Sequence, residues 1–193
     1  MDKTPYFVKL EKAIEICCKT TIVTELEFVN LDESHGRILA SDLSSLVNDP
    51  PFDNSAMDGF AMRYEDTKNP PSTLEIIGTV QAAGQEKDIS VGQNQAVRIM
   101  TGAPMPKGAD SILQVELTSS NEKEVTLQQE GMRHFVRKKG ENLTKGSTAI
   151  KAGTILTPSR VGLCATMGHS SIPVIKPLKV AIISTGDEVD HSR

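Results

Sequence analysis

Residues 96–108 read AVRIMTGAPMPKG, a short apolar stretch that ends in a cluster of turn-forming residues. A second short apolar stretch follows at residues 111–116. Runs of this length that are bounded by Gly and Pro are typical of β-strands. Outward from this centre the pattern repeats at residues 60–62, 74–80, 125–127 and 134–136. It predicts an irregular all-β unit over residues 46–142, called the β unit below.

Helical signals lie on both sides of the β unit. Thr4-Pro5 is a helix start, and the apolar residues Phe7, Leu10, Ile14 and Cys17 follow at steps of three and four. Thr157-Pro158 repeats the start signal, and Gly168 is placed to end that helix. We expect residues 1–45 and 143–178 to form one small mixed α/β lobe, called the lobe below. It is discontinuous in sequence because the β unit is inserted in it.

The C-terminal residues 179–188, KVAIISTGDE, form an apolar run that leads into a polar turn. A strand that is apolar on both faces belongs inside a parallel sheet, and parallel pairing requires a long crossover connection. We therefore expect residues 179–193 to be the first strand of a truncated α/β domain, with an unusual pairing as the alternative. The predicted fold class is α+β, mainly β.

The composition narrows the classes of function. Of 193 residues, 38% are hydrophobic, but the aromatic residues are five Phe and two Tyr with no Trp. An aliphatic core follows, and a nucleic-acid platform of stacked aromatic rings is disfavoured. Neither a bilayer-spanning apolar run nor a signal stretch is present, so a cytoplasmic protein without membrane partners is expected. Cys17, Cys18 and Cys164 lack metal or disulfide spacing and are interpreted as buried or idle thiols.

The net charge of −4 conceals one basic segment. Residues 131–151 contain six Lys or Arg and a single acidic residue, Glu141. A basic segment on an otherwise acidic chain favours a small anion over a nucleic-acid backbone. A solvated hairpin face is the alternative.

Residues 53–58, DNSAMD, place two carboxylates, an amide and a hydroxyl just before a strand. Asp53 and Asp58 are candidates for holding a metal or acting as a base, and the small residues let backbone amides approach a ligand. The alternative is an Asx-rich turn in which the side chains bond to their own backbone.

Two further segments are candidates for binding anions. The Thr101 hydroxyl and the amides around Gly102 lie at a strand end, where an oxyanion or phosphate can bind, although a simple hairpin turn has the same pattern. In the basic segment, Arg137 is a candidate clamp because a guanidinium matches phosphate with two hydrogen bonds, and Lys138 adds a second charge.

Four motifs together carry a resemblance to one family: PFDNSAMDGFA at residues 51–61, RIMTGAP at 98–104, RKKGE at 137–141 and STGDE at 184–188. In this order, and with GRILA at 36–40, they resemble the molybdopterin molybdenumtransferase family, which includes bacterial MoeA and the gephyrin E domain. The resemblance covers essentially the whole chain.

The resemblance implies insertion of molybdenum from molybdate into adenylylated molybdopterin, with Mg²⁺ and release of AMP. It implies an elongated homodimer of four-domain subunits joined through the lobe, and an upstream enzyme of the molybdopterin adenylyltransferase type. The active cleft would join the β unit of one subunit to the α/β domain of the other.

By position, Asp58, Thr101 and Glu188 match functional residues of this family, with Asp58 and Glu188 as metal ligands. Asp53, Ser55, Gly102, Arg137 and Lys138 are the expected substrate-binding residues. Asn142 departs from the family, in which Asp is frequent at this position, so a metal or base role is doubtful there.

Three hypotheses for function follow. The first is an enzyme fragment of molybdenum cofactor biosynthesis, inactive by itself. The second is a non-catalytic β binding or dimerisation module of a gephyrin-like scaffold. The third is nucleic-acid binding by residues 133–151, which the acidic remainder of the chain argues against.

Overall fold

A computed structural model describes residues 8–19, 24–82 and 89–183. Two α-helices are formed, α1 (Leu10–Lys19) and α2 (Pro158–Thr166). The strands are β1 (Leu26–Asn30), β2 (Leu43–Ser44), β3 (Asn54–Ser55), β4 (Gly59–Met62), β5 (Ser72–Val80), β6 (Gln95–Ile99), β7 (Ser111–Gln114), β8 (Thr118–Ser120), β9 (Glu124–Leu127), β10 (Val136–Arg137), β11 (Thr148–Ile150) and β12 (Ser171–Ile175).

Six of these strands form one curled sheet in the order β7-β4-β6-β5-β9-β8. All neighbours are antiparallel except β5 and β6, which run parallel. Successive side chains of a strand point to opposite faces, and in β4 all four residues are buried. Phe60 lies in one apolar cluster with Leu74 and Leu127, and Ala61 lies in a second cluster with Ile99. The sheet is therefore covered on both faces.

The lobe is built from both ends of the chain. β1 pairs with β12, and β2 pairs with β11, both antiparallel. Its single buried cluster combines residues from the two flanks: Leu39, Leu43, Ile150, Leu156, Cys164, Met167, Ile172 and Val174. The pairing of distant segments explains why neither flank has a core of its own.

The two helices differ in their packing. Thr157 occupies the N-cap position of α2 without a side-chain capping bond, and Pro158 begins the helix. Gly168 follows the helix at φ +88°, a conformation that favours glycine. In contrast, α1 has no buried residue, and Leu10 is 72% exposed. None of the helices among the described residues is long and apolar enough to cross a membrane.

The mainly β fold class is confirmed, and the predicted strands at 60–62, 74–80, 96–100, 111–116 and 125–127 are each found to within a few residues. The prediction at 134–136 differs. A 3₁₀ turn, Arg133–Phe135, comes first and the strand β10 follows it, because Val136 and Arg137 pair with β3.

Part of the terminal predictions lies outside the described residues, including Thr4-Pro5, Phe7 and residues 184–193. Residues 179–183 are described and form no strand, and Ile182 is 92% exposed. A strand needs a hydrogen-bonded neighbour, and none of the described residues provides one here. The domain boundaries stay predictions.

Candidate functional site

The segment of residues 53–58 includes β3 (Asn54–Ser55) and the turn that leads into β4. At its C-terminal end, a Cβ placed on Gly59 would lie 2.1 Å from the carbonyl oxygen of Leu113. Only glycine fits this approach, and it brings β4 against β7. Asp58 therefore lies directly before a buried strand in the interior of the sheet.

Asp58 and Thr101 meet where β4 begins and β6 ends. The Oδ1 atom of Asp58 accepts hydrogen bonds from the Thr101 amide at 2.7 Å and from the Thr101 hydroxyl at 2.8 Å. These two bonds, the amide first, hold the pKa of the Asp58 carboxyl below its ordinary value. Both residues are exposed, and Oδ2 of Asp58 has no hydrogen-bond partner among the described residues. An ionised carboxylate thus presents one free oxygen to solvent.

Asp53, at the other end of the loop, is bound to the basic segment. Its Oδ2 accepts from Lys138 Nζ at 2.8 Å and its Oδ1 accepts from the Lys139 amide at 2.8 Å. The Lys138 bond is the main reason why the pKa of Asp53 is lowered. Both oxygens are engaged, so Asp53 fixes Lys138 in place and does not offer an open ligand position.

Ser55 and Gly102 shape the loop from inside. Ser55 is buried, and its hydroxyl donates to the carbonyl of Met57 at 2.5 Å. The Gly102 amide donates to the Ser55 carbonyl at 2.8 Å, with Gly102 at φ +80°. The Ser55 hydroxyl and the Gly102 amide are thus hydrogen-bonded within the protein, as expected if residues 53–58 form a turn stabilised by its own side chains. Their contact with substrate stays a prediction.

Arg137 is held by an amide bridge. Its Nη2 donates to Asn142 Oδ1 at 3.0 Å, and Asn142 Nδ2 donates to Asp49 Oδ2 at 2.9 Å. Glu141 Oε1 lies 3.7 Å from Arg137 Nε. Asn142 uses both ends of its amide, so it links a cation to an anion.

The basic segment is largely neutralised by carboxylates, three of them from distant parts of the chain and one, Glu141, from the segment itself. Its ion pairs are Arg133–Asp110, Arg137–Glu141, Lys138–Asp53 and Lys151–Asp42. Among the described residues, the side chains of Lys139 and Lys145 form no ion pair. The isolated positive charge inferred from the sequence is therefore smaller in the fold.

Few groups here are available to a metal. Within the described ranges, no three His, Cys, Asp or Glu side chains are grouped as a metal site. Asp58 offers one free oxygen, whereas Glu188 lies outside the described residues. Mg²⁺ is commonly held by one or two carboxylates together with substrate phosphates, so this donor set fits Mg²⁺ only alongside a phosphorylated substrate.

Two further polar residues belong to this region. Asp49 anchors Asn142 across 93 positions, and no local pattern in the sequence signals such a contact. Asn54 is 8% exposed, and its Oδ1 is the buried side-chain oxygen left without a partner in the part of the chain that the structure describes. Buried unpaired acceptors are uncommon and often mark functional sites.

Asp58 and Thr101 thus form a contact between the start of β4 and the end of β6, and Arg137 and Lys138 lie on and just after β10, which pairs with β3. Comparison with known proteins gives the family. Residues 8–168 match the family described as MoeA N-terminal region (domain I and II). The chain belongs to this MoeA family, as its resemblance predicts.

Several relatives are similar over most of this chain. A molybdopterin molybdenumtransferase of Bacillus subtilis (strain 168) is 37% identical over 196 residues, covering 97% of this chain and 45% of the relative. One from Haemophilus influenzae is 37% identical and covers 86% of this chain and 41% of the relative. The chain thus spans less than half of the length of these relatives.

Solved structures agree with the fold. The crystal structure of the molybdopterin biosynthesis MoeA protein from Pyrococcus horikoshii OT3 is similar with a TM-score of 0.73 at 32% identity. That match covers 78% of this chain and 41% of the other. Another structure of the Pyrococcus MoeA protein gives 0.74 at 33% identity, covering 86% and 44%.

Proposed function

We propose that this chain is the N-terminal part of a molybdopterin molybdenumtransferase. The whole enzyme would insert molybdenum from molybdate into adenylylated molybdopterin and release AMP. Membership of the MoeA family supports the assignment, as do relatives named for this activity. Because the chain spans less than half of them, we expect it to be inactive by itself.

The pair of Asp58 and Thr101 carries this proposal. The Asp58 carboxylate is ionised at neutral pH, as any solvent-exposed aspartate is, and its hydrogen bonds from Thr101 lower its pKa further and fix its orientation. Only the free oxygen then faces the ligand. We assign to Asp58 the positioning of a cation or a water at the reacting phosphate, with Glu188 as its partner.

Arg137 and Lys138 supply the positive charge that a phosphorylated substrate requires. Asp53 holds Lys138 and Asn142 holds Arg137, so each cation has a fixed starting position. Incoming phosphate can replace an internal carboxylate as the partner, because both accept from the same donors. Ser55 and Gly102 support the loop that brings these groups together.

Mg²⁺ is the proposed cofactor. When bound, it would neutralise phosphate charge during transfer. Asp58 would hold it through the free oxygen, together with Glu188 and substrate phosphate oxygens. The adenylylated substrate would come from an enzyme of the molybdopterin adenylyltransferase type, and no nucleic-acid or membrane partner is proposed.

We also propose a homodimer through the lobe. Apolar side chains are exposed along α1 and β1, with Ile14 at 54%, Leu26 at 60% and Phe28 at 68%. Apolar surface of this kind commonly marks a protein interface. A second copy would cover it and bring the β unit of one subunit beside the missing α/β region of the other.

The test is Asp58→Asn in a full-length parent protein. An asparagine keeps an oxygen that can accept from Thr101, so the loop is retained while the charge is lost. We expect at least a tenfold fall in molybdate- and Mg²⁺-dependent AMP release, measured on adenylylated molybdopterin.

The matched control is Asp42→Asn. Asp42 is another surface aspartate that accepts from a lysine, Lys151, and from a backbone amide. It lies in the lobe, and AMP release should stay near the wild-type rate. Unchanged AMP release by Asp58→Asn would contradict the role of Asp58 and favour a non-catalytic module.

A further inference from the structure

An open cleft of about 510 Å³ lies at one end of the curled sheet. Its lining residues are Ile76, Thr79, Arg98, Ser120, Asn121 and Glu122. They come from β5, β6 and the β8–β9 turn, so the cleft opens where the curl of the sheet brings non-neighbouring strands together. The ends of curled or closed sheets are common ligand sites.

Arg98 is the cation of this cleft. It is half-buried, and its guanidinium carbon lies 4.9 Å from the centre of the Phe60 ring. Phe60 is the residue opposite Arg98 on β4, so the strand register fixes the stacking. An aromatic face stabilises a guanidinium without using any of its N–H donors.

The hydrogen-bonding capacity of Arg98 is largely unused. Its one hydrogen bond to a described residue runs from Nη2 to Ser120 Oγ at 3.3 Å. A guanidinium has five N–H donors. Within the described ranges no carboxylate lies within 4.0 Å of Arg98, whereas Arg37, Arg63, Arg133 and Arg137 each have one. Arg98 is therefore a fixed, partly desolvated cation with donors to spare.

The neighbouring groups suit an anion. Since Ser120 Oγ accepts from Arg98, its hydroxyl hydrogen is available to donate, and the hydroxyl of Thr79 lines the same space. The amide oxygen of Asn121 is already occupied by the backbone amides of the following turn. Glu122 opposes anion binding and reduces the affinity.

We propose that this cleft binds an oxyanion of the phosphate class, with Arg98 making two parallel hydrogen bonds to it. The site differs from the Asp58–Thr101 pair, although both use β4 and β6: Asp58 and Thr101 lie just beyond the strand ends, and Phe60 and Arg98 face each other inside. The inference does not depend on the proposed function. The oxyanion comes either from free inorganic phosphate or from the phosphate of a nucleotide.

The test is an NMR titration of the isotopically labelled 193-residue chain at constant ionic strength, with inorganic phosphate in one arm and AMP in the other. We expect a saturable shift of the Arg98 Nε–Hε signal. Saturation by both ligands, with AMP tighter, identifies a nucleotide phosphate; saturation by inorganic phosphate alone identifies the free ion. No saturable shift in either arm would overturn the proposal.

Two variants and a control assign the effect. Arg98→Gln should weaken binding at least tenfold, and Arg133→Gln, in which the lost arginine is paired with Asp110, should leave it unchanged. Glu122→Gln removes the opposing charge from an exposed position and should tighten binding about twofold. If Arg98→Gln fails to fold, Glu122→Gln still decides: unchanged or weaker phosphate binding would contradict the assignment.

Discussion

The β unit and the lobe bury their apolar residues differently. The β unit packs an apolar cluster against each face of its six-stranded sheet. The lobe has one cluster, and it leaves Leu26 and Phe28 of β1 exposed. The β unit thus buries apolar residues on both sides of its sheet, whereas the lobe leaves apolar surface available for association.

The largest effect is expected from Leu113→Ala. Leu113 is fully buried in the β unit, and truncation of such a leucine costs about 2–5 kcal/mol of unfolding free energy. Leu26→Ala in the lobe is the matched control and should cost less than about 0.5 kcal/mol in the monomer. Urea denaturation measures both. A cost of Leu26→Ala that grows with protein concentration would show that a second chain covers this surface.

Gly59→Ala should destabilise the protein by about 1–3 kcal/mol, because the added methyl group collides with the Leu113 carbonyl at the edge of the β unit. Gly162→Ala is the opposite case in the lobe. Gly162 lies in α2 with nothing within 4 Å, so alanine should stabilise by about 0.5–1 kcal/mol. The midpoint of thermal unfolding should fall for Gly59→Ala and rise for Gly162→Ala. Shifts of the same sign and size in the two variants would contradict the close contact at Gly59 and the open space at Gly162.

Asn142→Asp tests the junction between the two regions. The new carboxylate would replace the amide that donates to Asp49, leaving two carboxylates in contact. We expect a loss of about 1 kcal/mol at pH 7, the size of one hydrogen bond. Because repulsion between two carboxylates is relieved when one of them binds a proton, we expect this loss to shrink as the pH falls. A loss that is independent of pH would argue against charge repulsion.

The smallest effect concerns pH. Asp53 has a lowered folded pKa, so its contribution to stability is present above the unfolded value of about 3.9 and is lost as the pH falls through the folded pKa. Asp53→Asn should remove that part of the acid dependence below about pH 5, with Asp42→Asn giving a similar change in the lobe. The midpoint of urea denaturation, measured across this pH range, tests the prediction. If both variants keep the acid dependence of the wild type, the Asp53–Lys138 and Asp42–Lys151 ion pairs do not contribute to stability.

Local patterns predicted most of the strands and the helix α2, since the repeat of apolar residues and the turn signals are encoded within a few positions. These patterns do not predict which strands pair with one another. The parallel alignment of β5 with β6 and the placement of Val136 on β3 depend on how the sheet curls. The exposure of α1 also differs from what its apolar stripe alone suggests.

In the candidate site, too, local patterns identified residues, whereas their contacts with distant residues could not be predicted. The motif at residues 51–61 located Asp58, but its pairing with Thr101 joins residues 43 positions apart. The charge of the basic segment was overestimated because Lys138 is neutralised by Asp53 across 85 positions and Lys151 by Asp42 across 109. Composition counts charges along the chain, and only the fold decides which of them meet.

The junction between the β unit and the lobe is narrow. The Asp49 amide donates to the Leu143 carbonyl at 2.8 Å, and the Leu143 amide donates back to the Asp49 carbonyl at 3.0 Å. The chain thus leaves and re-enters the lobe through two adjacent backbone segments. We therefore expect that a short turn joining these two points would close the lobe without the β unit. The excised unit would have neighbouring ends suited to circularisation or to transplantation into another scaffold.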